Sequence, residues 1–109
     1  MNPKRGEIWW AALDPVVGSE IAKTRPCIIF THDSLNQHRY TVVVVPLSSL
    51  KFARPPVTVT VKCMGKAAVA VVDQIRAVSK QRLKSKIGEA NSAEMAAISD
   101  AVREVLDVI

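Results

Sequence analysis

The sequence is poor in the residues that mark several classes of protein. Only two of its 109 residues are cysteines, and the lack of a C-x-x-C motif argues against both a disulfide framework and a structural zinc module. Its longest nearly apolar runs, residues 67–72 and 41–47, are far shorter than the roughly 20 residues of a membrane span. No charged and then apolar leader opens the chain, so we expect a cytoplasmic protein.

Motifs for metal-assisted, nucleotide-dependent or triad chemistry are also lacking. His32 and His38 are the only histidines, and no third ligand stands at a spacing that zinc requires. Neither a G-x-S-x-G elbow nor a glycine-rich phosphate loop occurs. The two histidines are either an acid–base pair or solvated side chains on a polar loop, and the loop composition favours the second interpretation. We therefore expect no metal and no cofactor.

The sequence has an excess of positive charge, and this charge is unevenly distributed. Residues 1–86 contain fourteen Lys and Arg against five acids, whereas residues 87–109 contain one Arg against five acids. A basic body attracts polyanions, and nucleic acid is the foremost of them. The same residues would also keep a small domain in solution, so charge alone leaves both interpretations open.

The apolar pattern predicts short strands. With 49% hydrophobic and 23% charged residues, the chain has the composition of a globular protein, and residues 1–109 are the size of one domain. Valines at 57, 59 and 61 alternate with polar residues, which is the period of a half-buried strand. A turn at residues 64–66 makes this strand part of a hairpin. The predicted strands cover residues 6–12, 27–30, 42–45, 57–62, 67–72 and 75–78.

One long helix is predicted at the C-terminus. Asn91 can cap it while Glu94 reaches back, and an apolar stripe follows at spacings of three and four residues: Met95, Ile98, Val102, Val105 and Ile109. Residues 33–39 are predicted as a polar loop, and the basic run 80–86 as containing a short helical turn. A series of about six short strands and one terminal helix indicates a small, strongly bent antiparallel sheet that closes toward a barrel.

Several blocks of sequence together resemble the MazF/PemK/Kid toxin family. Residues 5–10 read RGEIWW, residues 13–20 read LDPVVGSE, and Thr24-Arg25-Pro26 follows. Val45-Pro46-Leu47-Ser48-Ser49 is similar to the end of the family's third strand, and residues 73–76 are similar to its D-Q-x-R segment. The blocks reach from residue 5 to about residue 90. RGEIWW followed by GSE and then TRP, in this order and at this separation, is the specific signal, whereas DQIR alone would be weak.

This resemblance implies a fold, an activity and partners. The fold would be a mainly β, SH3-like antiparallel barrel of the MazF/CcdB toxin type with a C-terminal helix, assembled as a homodimer. The activity would be that of a type II toxin, a metal-independent endoribonuclease that cuts single-stranded RNA through its 2′-hydroxyl. The partner would be an acidic antitoxin. Two alternatives remain: a toxin that targets gyrase, since some relatives share the fold but not the activity, and a non-catalytic nucleic-acid-binding barrel.

The resemblance also implies roles for particular residues. Arg25 would neutralise the phosphoryl oxygens and Ser48 would donate to them, while Glu20 and Asp73 match acidic positions that can accept a proton or orient the substrate. Residue 71 is Val where some relatives have an arginine, and residue 19 is Ser where some have a histidine. The residues expected to bind RNA are Lys23, Thr24, Arg39, Ser49, Lys51, Phe52, Arg54, Gln74 and Arg76. Trp9 and Trp10 would either stack on a base or pack in the interior, and we favour packing.

Overall fold

The chain forms a curled antiparallel sheet with one long helix packed against it. The computed structural model describes residues 2–49 and 53–108. Their seven strands are β1 (Glu7–Ala12), β2 (Thr24–Ile29), β3 (Thr41–Ser48), β4 (Thr58–Cys63), β5 (Lys66–Val71), β6 (Arg76–Ser79) and β7 (Leu83–Glu89). The helices are α1 (Asp33–His38) and α2 (Ser92–Val105), and short 3₁₀ turns cover Val72–Gln74 and Lys80–Arg82.

Strand β3 connects the two halves of the sheet. The strand order is β4-β5-β3-β2-β1-β7, and β6 also pairs with β3. The first half of β3 pairs with β6, its middle pairs with β2, and its last two residues pair with β5. A strand with three partners has to bend, and this bend curls the sheet into a half-barrel. The predicted mainly β barrel with a C-terminal helix is confirmed.

The valine run of β3 is continuous because the strand is buried on both faces. Val42 and Val44 belong to one buried cluster, together with Cys27 and Ile29 of β2. Val45 and Leu47, on the other face, join the cluster that includes Ile28 and Ile98. Neighbouring side chains of a strand point to opposite faces, so a strand that is covered on both sides shows no polar alternation.

Two local predictions are confirmed in detail. The β4–β5 hairpin turns at Met64 and Gly65, whose φ angles of 53° and 77° suit the tight turn that joins twisted antiparallel strands. Helix α2 begins with the predicted capping box, in which Asn91 and Glu94 each accept from the other's backbone N–H. Its apolar stripe buries Ile98 and packs Met95 and Val102 against the core; Ile109 lies outside the described residues.

The prediction of a polar loop over residues 33–39 is wrong, because residues 33–38 form α1. His32 caps this helix: its Nδ1 accepts from the N–H of Ser34 at 3.1 Å. Asn36 is fully buried, and its side-chain amide donates to the carbonyl of Thr31 at 2.8 Å. A single turn anchored by polar side chains has no apolar stripe, so hydrophobic periodicity did not reveal it.

Strand β7 and two strand boundaries were also not predicted. The exposed side chains of residues 84–86 give β7 a polar sequence, and its pairing with β1 is interrupted by register shifts. Strand β2 begins at Thr24, before the predicted start. Strand β3 continues through Pro46 to Ser48, because Pro46 falls between the ladders to β6 and β5, where no N–H is needed.

Candidate active site

An open cleft of about 340 Å³ lies between the ends of β2 and β3 and the β4–β5 hairpin. We call it the Arg25 cleft. Trp10, Pro26 and Leu47 contribute apolar surface to it. Its polar lining residues are Thr24, Arg25, Ser48, Ser49 and Lys66. A mostly apolar pocket with a few convergent polar groups is typical of a ligand site.

The strand register explains why Arg25 and Ser48 meet at this cleft. Cys27 of β2 pairs with Pro46 of β3 in an antiparallel ladder. The ladder ends at this pair, and Arg25 and Ser48 lie two residues beyond it, one on each strand, where both line the cleft. These two positions, 23 residues apart in sequence, therefore become neighbours only through the β2–β3 pairing.

The guanidinium of Arg25 is available to a ligand. The residue is exposed, and its Nε lies 3.4 Å from the carbonyl of Ala22, a long contact that leaves the terminal nitrogens facing solvent. In the described part of the chain, the ion pairs involve Lys86 and Arg103 but not Arg25. A free arginine fork beside hydroxyl groups suits the oxygens of a phosphate, which two parallel N–H groups can bind together.

A second cleft, of about 300 Å³, contains the two acidic candidates. We call it the Glu20 cleft. Glu20 and Asp73 line it together with Gln74 and Arg76, whereas the hydroxyl candidates Thr24, Ser48 and Ser49 line only the Arg25 cleft. Both carboxylates are exposed.

Most polar side chains of the Glu20 cleft hold the β1–β2 loop in place. Glu20 Oε1 accepts from the N–H of Val17 at 2.6 Å, within the loop itself. Gln74 Oε1 accepts from the N–H of Ile21 at 2.7 Å, and Arg76 lies 3.4 Å from the carbonyl of Leu13. Two of the residues predicted to bind RNA, Gln74 and Arg76, thus also bind the loop.

The two clefts share no lining residue. Pro26 and Leu47, which line the Arg25 cleft, lie on one face of the β2–β3 ladder, but strand alternation puts Arg25 and Ser48 on the other face, with Pro46 of the Glu20 cleft. The two clefts are therefore neighbours, and each holds two of the four candidate catalytic residues. Arg25 and Ser48 come together in one cleft, and Glu20 and Asp73 come together in the other.

The remaining candidates for RNA binding are scattered. Lys23, Arg39 and Arg54 are exposed but line neither cleft. Lys23 stands in the left-handed region, with φ 67°, at the entry to β2. Lys51 and Phe52 lie outside the described residues.

Trp10 and Lys66 are cleft residues whose position the sequence pattern did not reveal. Trp10 lines the Arg25 cleft, so the interpretation of both tryptophans as packing residues is incomplete. Trp9, the next residue, packs against a buried cluster and donates its indole N–H to Glu7 at 3.1 Å. Successive side chains of a strand point to opposite faces, so the sequence already indicated that Trp9 and Trp10 have different surroundings. Lys66 lines the cleft because the hairpin brings the start of β5 to it.

The surroundings of three titratable groups outside the set of candidate residues shift their pKa values. Burial raises the pKa of the Cys27 thiol to about 12, although Arg76 acts in the opposite direction; Cys27 and Cys63 are both free thiols. Burial alone would raise the pKa of Glu7, but hydrogen bonds from Lys4 and Trp9 and the charge of Lys86 bring it below 4.5. Lys86 also contacts Glu89, and the two carboxylates raise the pKa of its ammonium.

Neither a metal cluster nor a membrane helix is found in residues 2–49 and 53–108. No three His, Cys, Asp or Glu side chains converge there as metal ligands would. The helices in those residues lack the length and apolar character that crossing a membrane requires. His32 caps α1, and His38 lies 2.7 Å from the carbonyl of Ser34, so the two rings contact one small helix rather than either cleft.

Comparisons with known proteins agree with the fold. Residues 4–106 match the family described as PemK-like, MazF-like toxin of type II toxin–antitoxin system. Endoribonuclease EndoA of Bacillus subtilis is 32% identical, with 100% of this chain and 98% of the relative covered. Endoribonuclease MazF9 of Mycobacterium tuberculosis is also 32% identical, over 96% of this chain and 97% of the relative.

Solved structures show the same architecture. MazF from Deinococcus radiodurans superposes with a TM-score of 0.87 at 21% identity, covering 98% of each chain. An endoribonuclease in complex with its cognate antitoxin, from a mycobacterial species, gives a TM-score of 0.82 at 23% identity, covering 98% of this chain and 97% of that one.

Proposed function

The chain belongs to the PemK-like, MazF-like toxin family of type II toxin–antitoxin systems, and from this premise we propose that it is an endoribonuclease that cuts single-stranded RNA without a metal ion. Curated relatives that match nearly their whole length are endoribonucleases. We propose that residues 1–109 act as one toxin domain, in the cytoplasm, where cutting messenger RNA arrests translation.

The observation that carries the proposal is the Arg25 cleft. It brings a free guanidinium and a strand-end hydroxyl, Arg25 and Ser48, to one open pocket with an apolar wall. Phosphodiester cleavage places growing negative charge on the phosphoryl oxygens, and a preorganised cation and hydroxyl donor stabilise that charge. We find no structural role for the side chains of Arg25 and Ser48 in the described residues that explains why they face solvent.

The proposed reaction uses a nucleophile that the substrate carries. The ribose 2′-oxygen passes its proton to a carboxylate of the Glu20 cleft and attacks the adjacent phosphorus, and the bond from phosphorus to the 5′-oxygen breaks. The leaving 5′-oxygen takes a proton from water, which gives a 2′,3′-cyclic phosphate and a 5′-hydroxyl end. Because DNA lacks the 2′-hydroxyl, it is not cut.

Arg25 and Ser48 stabilise charge, and the acids act from the other cleft. Arg25 binds two phosphoryl oxygens, and Ser48 donates a hydrogen bond to one of them. Glu20 and Asp73 line the Glu20 cleft, and they accept hydrogen bonds from the RNA and orient it. The residues that contact the RNA along its path are Lys23, Thr24, Ser49, Lys66, Gln74 and Arg76.

Two partners complete the proposal. Two of the structural relatives are an endoribonuclease with its cognate antitoxin and a MazE–MazF assembly from Deinococcus radiodurans. We propose that this chain likewise binds a cognate antitoxin with an acidic segment, since the charge of residues 1–86 would attract it. The toxin itself acts as a homodimer, in which the Arg25 cleft of one protomer and the Glu20 cleft of the other can border the same RNA.

The test is cleavage of a single-stranded RNA in the presence of EDTA, with analysis of the fragment ends. We expect cleavage to persist in the chelator and to leave 5′-hydroxyl ends. Arg25→Ala should lose at least about 100-fold in kcat/KM. Arg103→Ala is the matched control, because it removes the same charge from the exposed face of α2, where Arg103 pairs only with Asp100.

Other outcomes contradict the proposal in distinct ways. Fragments with 5′-phosphate ends, or loss of cleavage in the chelator, would contradict the mechanism. Salt-sensitive binding without shortening of the RNA would identify a non-catalytic barrel. Damage to DNA while bulk RNA stays intact would indicate a toxin that targets gyrase.

A further inference from the structure

One aromatic ring that lines neither cleft stands almost entirely in water. Tyr40, between α1 and β3, is 90% exposed, the highest value among the large hydrophobic side chains of the described residues. A single exposed ring is ordinary on a protein surface, so the groups around Tyr40 decide whether it belongs to a binding site.

The strand register places a lysine beside this ring. Thr41 of β3 pairs with Ser79 of β6, and the ladder continues by one residue, since the N–H of Lys80 donates to the carbonyl of Tyr40 at 2.8 Å. Directly opposite residues of an antiparallel pair project to the same face, with Cβ atoms about 4.5–5.5 Å apart. Tyr40 and Lys80 are therefore a pair of neighbouring positions that project to one surface.

The charge around the pair is positive. Arg39 directly precedes Tyr40 and is exposed. The ion pairs found within the described ranges involve Lys86 and Arg103, so they neutralise neither Arg39 nor Lys80. Cations beside an exposed ring are the combination that proteins use for single-stranded nucleic acid: bases stack on the ring and phosphates meet the cations.

This surface is separate from the site of the proposed reaction. Tyr40 directly precedes β3, and Ser48 ends it, eight residues later. On the other strand, Lys80 lies four residues beyond Arg76 of the Glu20 cleft, which is about 13 Å at the rise of a strand. Neither Tyr40 nor Lys80 lines either cleft.

We propose that Tyr40 and Lys80, with Arg39, form a second binding site for single-stranded RNA, which holds a segment of the substrate outside the part that is cut. The inference rests on the proposed function, because it assigns an RNA contact to the same enzyme. A base stacks on the Tyr40 ring, and the ammonium of Lys80 meets the neighbouring phosphate. Longer RNA then binds more tightly than RNA that reaches only the clefts.

The experiment compares two RNAs that share one cleavage sequence. One is the shortest oligonucleotide that the enzyme cuts, and the other is the same sequence extended with uridines on both sides. Tyr40→Ala should raise the KM for the extended RNA about fivefold or more, with kcat unchanged, and leave the short RNA unaffected. Tyr40→Phe keeps the ring and should behave like the unmodified protein, and Lys80→Ala should make binding of the extended RNA less sensitive to salt.

Controls separate this site from the reaction and from the fold. Leu106→Ala and Lys4→Ala truncate an exposed apolar and an exposed basic side chain elsewhere, and should leave both KM values unchanged. A binding measurement with fluorescent extended RNA, performed on Arg25→Ala protein, tests the site while cleavage is slowed by at least about 100-fold. Weaker binding on adding Tyr40→Ala supports the proposal even if the reaction is of another kind.

Three results would overturn the inference. The first is an equal effect of Tyr40→Ala on the short and the extended RNA, which would mean that Tyr40 acts through the fold. The second is no effect on either RNA. The third is weaker binding of the antitoxin with unchanged binding of extended RNA, which would make this surface a protein interface.

Discussion

The Arg25 cleft and the Glu20 cleft flank the same pair of strands, yet they use their polar groups differently. In the Arg25 cleft, a guanidinium with one long contact to a carbonyl faces solvent beside apolar walls. In the Glu20 cleft, Glu20 and Gln74 accept hydrogen bonds at 2.6 and 2.7 Å from the backbone of the β1–β2 loop. Arg25 is therefore available to a ligand, whereas Glu20 and Gln74 already form hydrogen bonds with the β1–β2 loop.

This difference assigns different tasks to the two clefts. A group that stabilises a transition state has to be free to meet the substrate, and Arg25 meets that condition. A group that holds a loop affects the shape of the site and the stability of the chain before it affects chemistry. We therefore expect substitutions in the Arg25 cleft to lower kcat/KM much more than substitutions in the Glu20 cleft.

The largest effect should come from the guanidinium. We expect Arg25→Ala to lower kcat/KM by at least about 100-fold, because its planar fork can bind two phosphoryl oxygens at once, whereas Lys66, the other cation that lines this cleft, is a point charge. Glu20→Gln and Asp73→Asn, measured with the same RNA, should each cost clearly less. If either acid variant lost as much activity as Arg25→Ala, the division of tasks between the clefts would be wrong.

The hydroxyl of Ser48 should come second. A hydrogen bond to a charged group contributes about 1.5–3 kcal/mol, so Ser48→Ala should lower kcat by roughly 10- to 100-fold. Ser48→Thr keeps the hydroxyl and should retain most of the activity. Ser49→Ala, in the same cleft but one residue beyond the strand, is the comparison variant, and an equal loss there would remove the special role of Ser48.

The meeting of Arg25 and Ser48 in one cleft shows which parts of the structure the sequence could predict and which it could not. The valine run of β3 and the capping pair Asn91 and Glu94 made the core strand and the terminal helix predictable, since each depends on contacts near in sequence. Which candidate residues share a cleft depends on the pairing of β2 with β3 and on the path of the β1–β2 loop, and contacts near in sequence set neither. Helix α1 and strand β7 also escaped prediction, because polar side chains and pairing with β1 hold them rather than an apolar pattern.

A smaller effect should follow from loosening the loop of the Glu20 cleft. Gln74→Ala removes the acceptor for the N–H of Ile21, which is a half-buried contact, and should lower the free energy of unfolding by about 1 kcal/mol. KM should rise more than kcat falls, since the loop shapes the cleft. Gln37→Ala, an exposed glutamine of α1, is the control for urea unfolding and kinetics. A fall in kcat without loss of stability would instead place Gln74 in the chemistry.

The smallest effect should be a pH dependence of stability that leaves the chemistry untouched. Glu7 binds Lys86 of β7 and the indole of Trp9, and so fastens β1, the strand whose Trp10 lines the Arg25 cleft. Because folding lowers the pKa of Glu7 from 4.5, its contribution is present above that pH and is lost as the pH falls through the lower folded value. Urea unfolding should therefore show Glu7→Gln less stable than the unmodified protein at neutral pH and equal to it in acid. If Glu7→Gln were still less stable than the unmodified protein in acid, packing rather than charge would hold β1 in place.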